Sequence, residues 1–214
     1  MEGFENKVVP TARWQEGDRE IIAKTRDVEK TLHNEPGFVG VAPYGSRWKG
    51  HSSEDSDYDV IALYDSTIAG CDLEKMRQAV AIKNNASIDG EETKERQTEV
   101  TWWIDMAALK NPDFSDVGFL DVPYVLMEHV IGPKINEYRA MMRPILDAHP
   151  EGFKEIVDHA TFREFQAFRR ANWKEGAENR NVPPWKTYAD QESHSSMRRP
   201  LFEKRARAVF FPKT

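Results

Sequence analysis

Two aspartates, one residue apart, lead directly into an apolar segment in the stretch PYGSRWKGHSSEDSDYDVIALYD, residues 43–65. The segment YDVIALYD is short, apolar and partly β-branched, so it predicts a buried strand. Successive side chains of a strand point to opposite faces, so Asp57 and Asp59 are expected on one face. Carboxylates beside a buried strand are costly unless a positive group meets them. The pair therefore predicts a binding site where this strand begins.

A divalent metal ion is the positive group that this pattern favours. Two carboxylates on one face can hold one or two hard cations, which in turn hold phosphate oxygens. A third carboxylate from a neighbouring strand is expected to hold a second ion. The segment RQTEVTWWI predicts a third strand, on which Glu99 is the candidate. Asp105 is the alternative, although its position before MAALK is typical of a helix cap.

The segment YGSRWKG, upstream of the acids, predicts a phosphate-binding bend. Gly45 ends a strand and lets the backbone approach a ligand closely, and Ser46 adds a hydroxyl and an N–H at the expected start of a helix. Arg47 and Lys49 either meet incoming phosphates or flank a solvated turn. The short connection between the two strands predicts that they are neighbours, which would bring the bend to the acids.

Other interpretations of the acidic segment explain less of the pattern. An EF-hand loop requires Gly and Glu at the positions of Val60 and Ser66. A P-loop requires Gly-Lys-Ser/Thr after the glycines, and this chain has none there. A solvated turn explains SSEDSD alone, but not the bend, the paired aspartates and the acid on the third strand together.

The segments GSRWKG and SDYDVIAL resemble the signature of the DNA polymerase β-like nucleotidyltransferase superfamily. That signature has a Gly-Ser turn, a Gly four residues after the Ser, and Ser-Asp-x-Asp at the start of a strand. The matching residues are Gly45, Ser46, Gly50, Ser56, Asp57 and Asp59. The resemblance covers residues 37–105 and is closer to the small stand-alone members of bacteria and their phages than to the large polymerases.

The resemblance implies an enzyme that transfers a nucleoside monophosphate from an NTP, such as ATP, to an acceptor hydroxyl and releases pyrophosphate. It implies two Mg²⁺ or Mn²⁺ ions, with Asp57, Asp59 and Glu99 as metal ligands and catalytic residues. The expected nucleotide-binding residues are Gly45, Ser46, Arg47, Lys49 and Ser56. The third acid is commonly Asp in this superfamily, so Glu99 departs from the pattern. An inactive scaffold that binds nucleotide or nucleic acid, and a component of a toxin–antitoxin or defence module, are the alternatives.

Hydrophobic periodicity predicts an α+β protein. The first half has the order α-β-α-β-α-β, with helices capped by Asp18 and Asp72 and strands at FVGVAPYG, YDVIALYD and RQTEVTWWI. The second half predicts helices alone, near residues 119–131, 133–147, 153–174 and 198–210, with a Pro-rich break at NVPPW. These elements predict a small mixed-sheet nucleotidyltransferase core at residues 1–112 and a helical C-terminal domain at residues 113–214.

The composition of the chain indicates the cellular compartment in which it is expected to act. Of the 214 residues, 39% are hydrophobic and 31% charged, as in ordinary soluble proteins, and no apolar run has the length of a membrane span. The beginning of the chain, MEGFENKVVPTARW, lacks the apolar core of a signal peptide, and Cys71 is the single cysteine. We therefore expect a cytoplasmic protein without a membrane partner, acting in the host cytoplasm if a phage encodes it.

The charge is distributed unevenly along the chain. Residues 163–214 contain twelve Lys and Arg against six Asp and Glu, whereas the whole chain has a net charge of −6. This basic C-terminal region predicts either an RNA or protein acceptor of negative charge, or attraction to the acidic part of the same chain.

A few further side chains have both a functional and a structural interpretation. Trp102 and Trp103 are expected on opposite faces of their strand, with core packing favoured over a stacking surface for a base. Lys134 and Arg139 either reach a triphosphate or are surface charges. The stripe formed by Phe162, Phe165, Phe168 and Trp173 is expected to be core.

Overall fold

The structure of the chain is a computed structural model that describes residues 11–48, 57–85, 98–175 and 184–212. It contains seven α-helices, three strands and one 3₁₀ helix within these ranges. Their bounds are α1 Thr11–Leu32, β1 Phe38–Pro43, α2 Gly45–Trp48, β2 Tyr58–Tyr64, α3 Leu73–Asn85, β3 Thr98–Asp105, the 3₁₀ helix Met106–Lys110, α4 Val117–Leu126, α5 Ile135–Ala148, α6 Gly152–Glu175 and α7 Pro184–Phe210. The predicted α+β class is confirmed.

The described residues divide into two compact units. The first unit contains the described residues up to Trp103 together with residues 131–133, and the second contains residues 104–130 and the described residues after 133. None of the described helices has the length and apolar composition required to cross a membrane.

The first unit contains a three-stranded sheet with the order β1-β2-β3. β1 and β2 are antiparallel, with Val41 opposite Ala62 and Pro43 opposite Val60. A short segment also pairs with β1, because Val41 and Ile131 exchange two backbone hydrogen bonds of 2.8 Å each. This pairing places residues 131–133 with the sheet.

One face of β2 is buried under α1 and α3. Tyr58, Val60 and Ala62 alternate along the strand and share a core cluster with apolar residues of both helices. The helix residues of that cluster are Ile21, Val28, Leu32, Met76 and Val80. Because side chains alternate, burial of this set directs Asp59, with Ile61 and Leu63, to the opposite face.

The predictions of helix ends in this unit have mixed outcomes. α1 begins at Thr11, so the predicted cap at Asp18 is wrong and Asp18 lies within the helix. The helical backbone extends upstream of the apolar stripe that runs from Ile21 to Leu32. An aspartate is a common capping residue, but it can also lie inside a helix without marking its start. The predicted cap of α3 is confirmed, since Asp72 Oδ1 accepts a hydrogen bond from the Lys75 N–H at 3.0 Å.

The second unit is helical, and α4 lies at its centre. Asp116 caps α4 by accepting hydrogen bonds from the N–H groups of Gly118 and Phe119, and nearly the whole helix after the first turn is buried. The other helices contribute stripes at helical spacing. These stripes are Ile135, Tyr138, Met142 and Leu146 on α5, Ile156, Val157, Ala160 and Phe165 on α6, and Phe202, Ala206 and Phe210 on α7.

Two helices of this unit differ from their predicted bounds. α4 ends at Leu126 rather than near 131, because residues 127–133 turn back and Ile131 pairs with β1. α7 begins at Pro184, well before the predicted residue 198. Proline at the first position of a helix costs no hydrogen bond, so the second proline of NVPPW begins the helix.

Phe165 is buried as expected, whereas Phe162 is 44% exposed and not core.

Asp121 of α4 connects that helix to α6 through two basic side chains. Its carboxylate accepts hydrogen bonds from Arg163 Nε at 2.9 Å and from His159 Nε2 at 2.7 Å. All three side chains are largely buried. Burial raises the pKa of Asp121, but the hydrogen bonds from His159 and Arg163 and the charge of Arg163 outweigh it, so the pKa lies below its ordinary value.

Replacing this buried carboxylate is expected to destabilise the helical unit. Asp121→Asn should lower the free energy of unfolding by about 3 kcal/mol, because it leaves a buried arginine without its counter-charge. A carboxyl with a depressed pKa stabilises the fold above its unfolded-state pKa of about 3.9, and this contribution is lost as the pH falls through the lower folded-state pKa. Urea denaturation followed by circular dichroism at pH 7 and below pH 4 measures both effects.

Asp158→Asn is the matched control for Asp121→Asn. Asp158 lies on α6 and pairs with Lys154 and Arg199, but its side chain is 38% exposed. Its loss should cost about 1 kcal/mol or less. The role given to Asp121 would be contradicted if the two variants lost equal free energy of unfolding. It would also be contradicted if wild type and Asp121→Asn differed in free energy of unfolding as much below pH 4 as at pH 7.

Candidate functional site

The bend after β1 lies directly against Asp59. The Tyr44 N–H donates a hydrogen bond of 2.8 Å to the Asp59 carbonyl oxygen, which continues the pairing of β1 with β2. Gly45 then begins the four-residue helix α2. The bend and the second aspartate of the pair are therefore neighbours.

Gly45 is required at this position for two separate reasons. Its φ is +72°, in the left-handed region that residues with a side chain rarely adopt. A Cβ at this position would also overlap Oδ2 of Asp59. The glycine thus leaves one oxygen of the Asp59 carboxylate against bare backbone.

Thr101 of β3 holds the other oxygen of the same carboxylate. Its hydroxyl donates a hydrogen bond of 2.8 Å to Asp59 Oδ1. Asp59 is half-buried and Thr101 is exposed. The carboxylate of the central strand is consequently contacted from both neighbouring strands, by Gly45 on one side and by Thr101 on the other.

An aromatic pair flanks these contacts. The rings of Tyr44 and Trp102 are stacked, with centroids 5.3 Å apart and planes inclined by 27°. Tyr44 directly follows β1 and Trp102 lies on β3, so this stacking contact spans the central strand β2. Trp103 packs against the core cluster and makes an edge contact with Tyr64. The core interpretation is thus confirmed for Trp103, while Trp102 stacks beside the site.

The other predicted acids lie on the strands but do not form a three-acid group. Asp57 directly precedes β2 and is exposed, and alternation places it on the face of Asp59. Glu99 is exposed on β3, two residues before Thr101. Within the part of the chain that the structure describes, no three His, Cys, Asp or Glu residues are grouped closely enough to hold a metal ion.

Asp105, the alternative third acid, caps the 3₁₀ helix. Its side chain accepts a hydrogen bond of 2.9 Å from the Ala107 N–H, as its position before MAALK predicts. This hydrogen bond occupies one of the two carboxylate oxygens of Asp105.

Several predicted nucleotide-binding groups lie outside the described residues. Lys49 and Ser56 belong to the range 49–56, which the structure does not describe, and so does Gly50. Ser46 and Arg47 lie in α2, where the backbone is described and these two side chains are not. Their predicted contacts with phosphate remain predictions.

Arg139 has a structural role in the second unit. Its guanidinium donates hydrogen bonds to the carbonyl oxygens of Leu126 at 2.9 Å and Glu128 at 3.1 Å. These contacts satisfy backbone acceptors at the end of α4. Burial lowers the pKa of Arg139 from its ordinary value. Lys134 is the residue before α5 and makes no capping hydrogen bond through its side chain.

Much of the described charge of the basic C-terminal region is paired within its own unit. Arg163 binds Asp121, Arg199 lies 3.0 Å from Asp158, and Arg205 lies 3.1 Å from Glu128. Arg207 pairs with Glu203 and also lies over the Phe153 ring. These pairs agree with the interpretation that basic and acidic segments attract each other, and they leave fewer cations for a polyanion.

Thr101 is the site residue that sequence reasoning missed. A signal existed, because Thr101 lies two residues after Glu99 in the segment TEVTW. The register between β2 and β3, however, joins residues 42 positions apart, and local sequence does not specify it.

Comparison with known proteins assigns the chain to no family. The chain matches no protein-family model, no curated protein and no solved structure.

Replacing Gly45 by alanine should disturb the site more than the same change at another glycine of similar conformation. Gly45→Ala combines left-handed strain, about 1–2 kcal/mol, with the overlap at Asp59, another 1–3 kcal/mol or so. Gly70→Ala is the control, because Gly70 has a φ of +83° and its Cβ would meet nothing closer than 3.5 Å. The free energies of unfolding in urea measure both, and equal losses would contradict the close approach of Gly45 to Asp59.

Proposed function

We propose that the chain is a metal-dependent nucleotidyltransferase of the DNA polymerase β-like type. The observation that carries this proposal is the contact between the Gly-Ser bend and the second aspartate of the pair. A bend that holds phosphates is useful to this chemistry only beside the carboxylates that hold the metal. The match of GSRWKG and SDYDVIAL to the superfamily signature is the second support.

The residues present fit a hard divalent cation. Asp57 and Asp59 are proposed to supply carboxylate oxygens from one face, with Asp59 Oδ2 lying in the space that a Gly45 side chain would fill. Mg²⁺ in phosphoryl-transfer sites is usually held by one or two carboxylates together with water and substrate phosphates. A protein group of three acids is therefore not required for the first ion. Glu99 is the proposed third ligand and would help to hold a second ion. Mn²⁺ can take the place of Mg²⁺ at either position.

In the proposed reaction an acceptor hydroxyl attacks the α-phosphorus of an NTP such as ATP. The bond from that phosphorus to the bridging oxygen breaks, pyrophosphate leaves, and the hydroxyl proton passes to Glu99. Bound Mg²⁺ would neutralise the phosphate charge. Asp57 and Asp59 would hold the ions, and the bend at Gly45 and Ser46 would position the remaining phosphates. Arg47, Lys49 and Ser56 are proposed to contact the triphosphate.

The acceptor is proposed to be an RNA end, a protein side chain or a small hydroxyl compound in the cytoplasm. Arg198 and Lys204 are exposed on α7 and are available to meet an RNA or a negatively charged protein. A toxin–antitoxin or defence module is the setting in which modification of a partner macromolecule fits this acceptor class.

The two aspartates of β2 should be essential for transfer. Asp57→Asn and Asp59→Asn preserve side-chain shape but remove charge, so each should lower pyrophosphate release about a hundredfold or more, as loss of one charge-stabilising group does. Asp27→Asn is the control, since Asp27 is an exposed aspartate of α1 that pairs with Lys30. Each labelled NTP is incubated with Mg²⁺, total RNA and total protein, and both pyrophosphate and labelled macromolecules are measured.

The same assay separates activity from the alternative of an inactive scaffold. NTP binding without pyrophosphate release or labelling, under any acceptor offered, would assign the fold to a scaffold. Undiminished transfer by the two Asn variants would remove Asp57 and Asp59 from the chemistry.

Alanine at the two candidate third acids should give opposite results. Glu99→Ala is expected to lower transfer by about a hundredfold with little effect on stability, because Glu99 is exposed. Asp105→Ala is expected to preserve transfer but cost about 1 kcal/mol, because it removes the cap of the 3₁₀ helix. Rates and urea midpoints measured in parallel decide the point, and the reverse pattern would make Asp105 the third acid.

A further inference from the structure

We infer that Thr101 is a positioning residue that orients the Asp59 carboxylate for a divalent cation. The inference rests on the proposed function. Thr101 does not replace a metal ligand. Its hydroxyl holds Asp59 Oδ1 from β3 at 2.8 Å, while Oδ2 is directed toward Gly45.

The geometry accounts for why a hydroxyl is useful at this position. The terminal torsion of an aspartate is soft, so a carboxylate without a fixed partner samples a broad range of orientations. A hydrogen bond to Oδ1 restricts that range and leaves the remaining lone pairs of the two oxygens for coordination. Groups that orient a metal ligand through a hydrogen bond change metal affinity about 10–100-fold when they are removed.

The placement of the three strands makes Thr101 specific for this task. Asp59 lies on the central strand, and its carboxylate meets the backbone of the bend on one side and the Thr101 hydroxyl on the other. A Thr-to-Asp contact elsewhere in the same unit provides a comparison. Thr67 donates its hydroxyl to Asp65 at the other end of β2, away from the bend.

The test is direct titration of the full-length chain with Mn²⁺, followed by electron paramagnetic resonance of the free ion. Thr101→Val should weaken Mn²⁺ binding about tenfold or more. Thr101→Ser keeps the hydroxyl and should stay within about twofold of wild type, on the same reasoning. Thr67→Val, which removes the matched hydrogen bond at Asp65, should bind Mn²⁺ as wild type does. Thermal midpoints measured on all variants show whether any change follows stability alone.

A double variant tests whether Thr101 acts through Asp59. Thr101→Val should weaken Mn²⁺ binding in the wild-type background but add no further loss in the Asp59→Asn background. The reason is that Asp59→Asn has already replaced the carboxylate that Thr101 orients by a neutral amide. Additive losses, wild-type affinity in Thr101→Val, equal weakening by Thr67→Val, or no recovery by Thr101→Ser would each overturn the inference. Failure of the wild-type chain to bind Mn²⁺, with and without a non-hydrolysable NTP, would also overturn it.

The outcomes for this inference and for the proposed function are separable. Mn²⁺ binding that depends on Thr101, without pyrophosphate release, would support the positioning role and reject the enzyme. Nucleotidyl transfer that depends on Asp57 and Asp59, with undiminished Mn²⁺ affinity in Thr101→Val, would support the enzyme and reject the positioning role.

Discussion

Burial of one face of β2 is the constraint on which the candidate site depends. Tyr58, Val60 and Ala62 are nearly inaccessible to solvent beneath α1 and α3. Ile61 and Leu63 on the other face are equally buried, so a one-residue slip would exchange two apolar sets but would also turn Asp59 into the cluster beneath α1 and α3. Burial of an unpaired carboxylate there is costly, so Asp59 is held on the face opposite the cluster. The apolar residues of the strand thus determine where its charges lie.

The candidate site shows how a sheet orients a carboxylate with few groups. Among the described residues, the Asp59 carboxylate lies against the backbone at Gly45 and accepts a hydrogen bond from the neutral hydroxyl of Thr101. In the helical unit the opposite solution occurs. There the Asp121 carboxylate accepts hydrogen bonds from Arg163 and His159, and it thereby joins α4 to α6. The same residue type therefore has a proposed site role in one unit and a structural role in the other.

The pairing of basic side chains in the C-terminal helices changes the meaning of their charge. Composition alone suggested a surface for a polyanion, but Arg163, Arg199, Arg205 and Arg207 each contact an acidic residue of the same unit. Exposed pairs of this kind contribute little stability individually, yet they lower the net positive potential that an RNA would meet. Arg198 and Lys204 on α7 are exposed, and they are the described cations of this region that are proposed to meet an acceptor.

The sequence by itself determined the three strands, the glycine turn at Gly45 and the caps at Asp72 and Asp105, because each depends on residues a few positions apart. It failed where a local signal was ambiguous. Asp18 is a capping residue type inside a longer helix, and Pro184 begins a helix rather than extending a break. Only the tertiary structure placed Thr101 against Asp59, Ile131 against β1 and Asp121 against Arg163. Those contacts join segments about 40 to 90 residues apart, and their register is set by packing of whole faces, which short-range patterns do not encode.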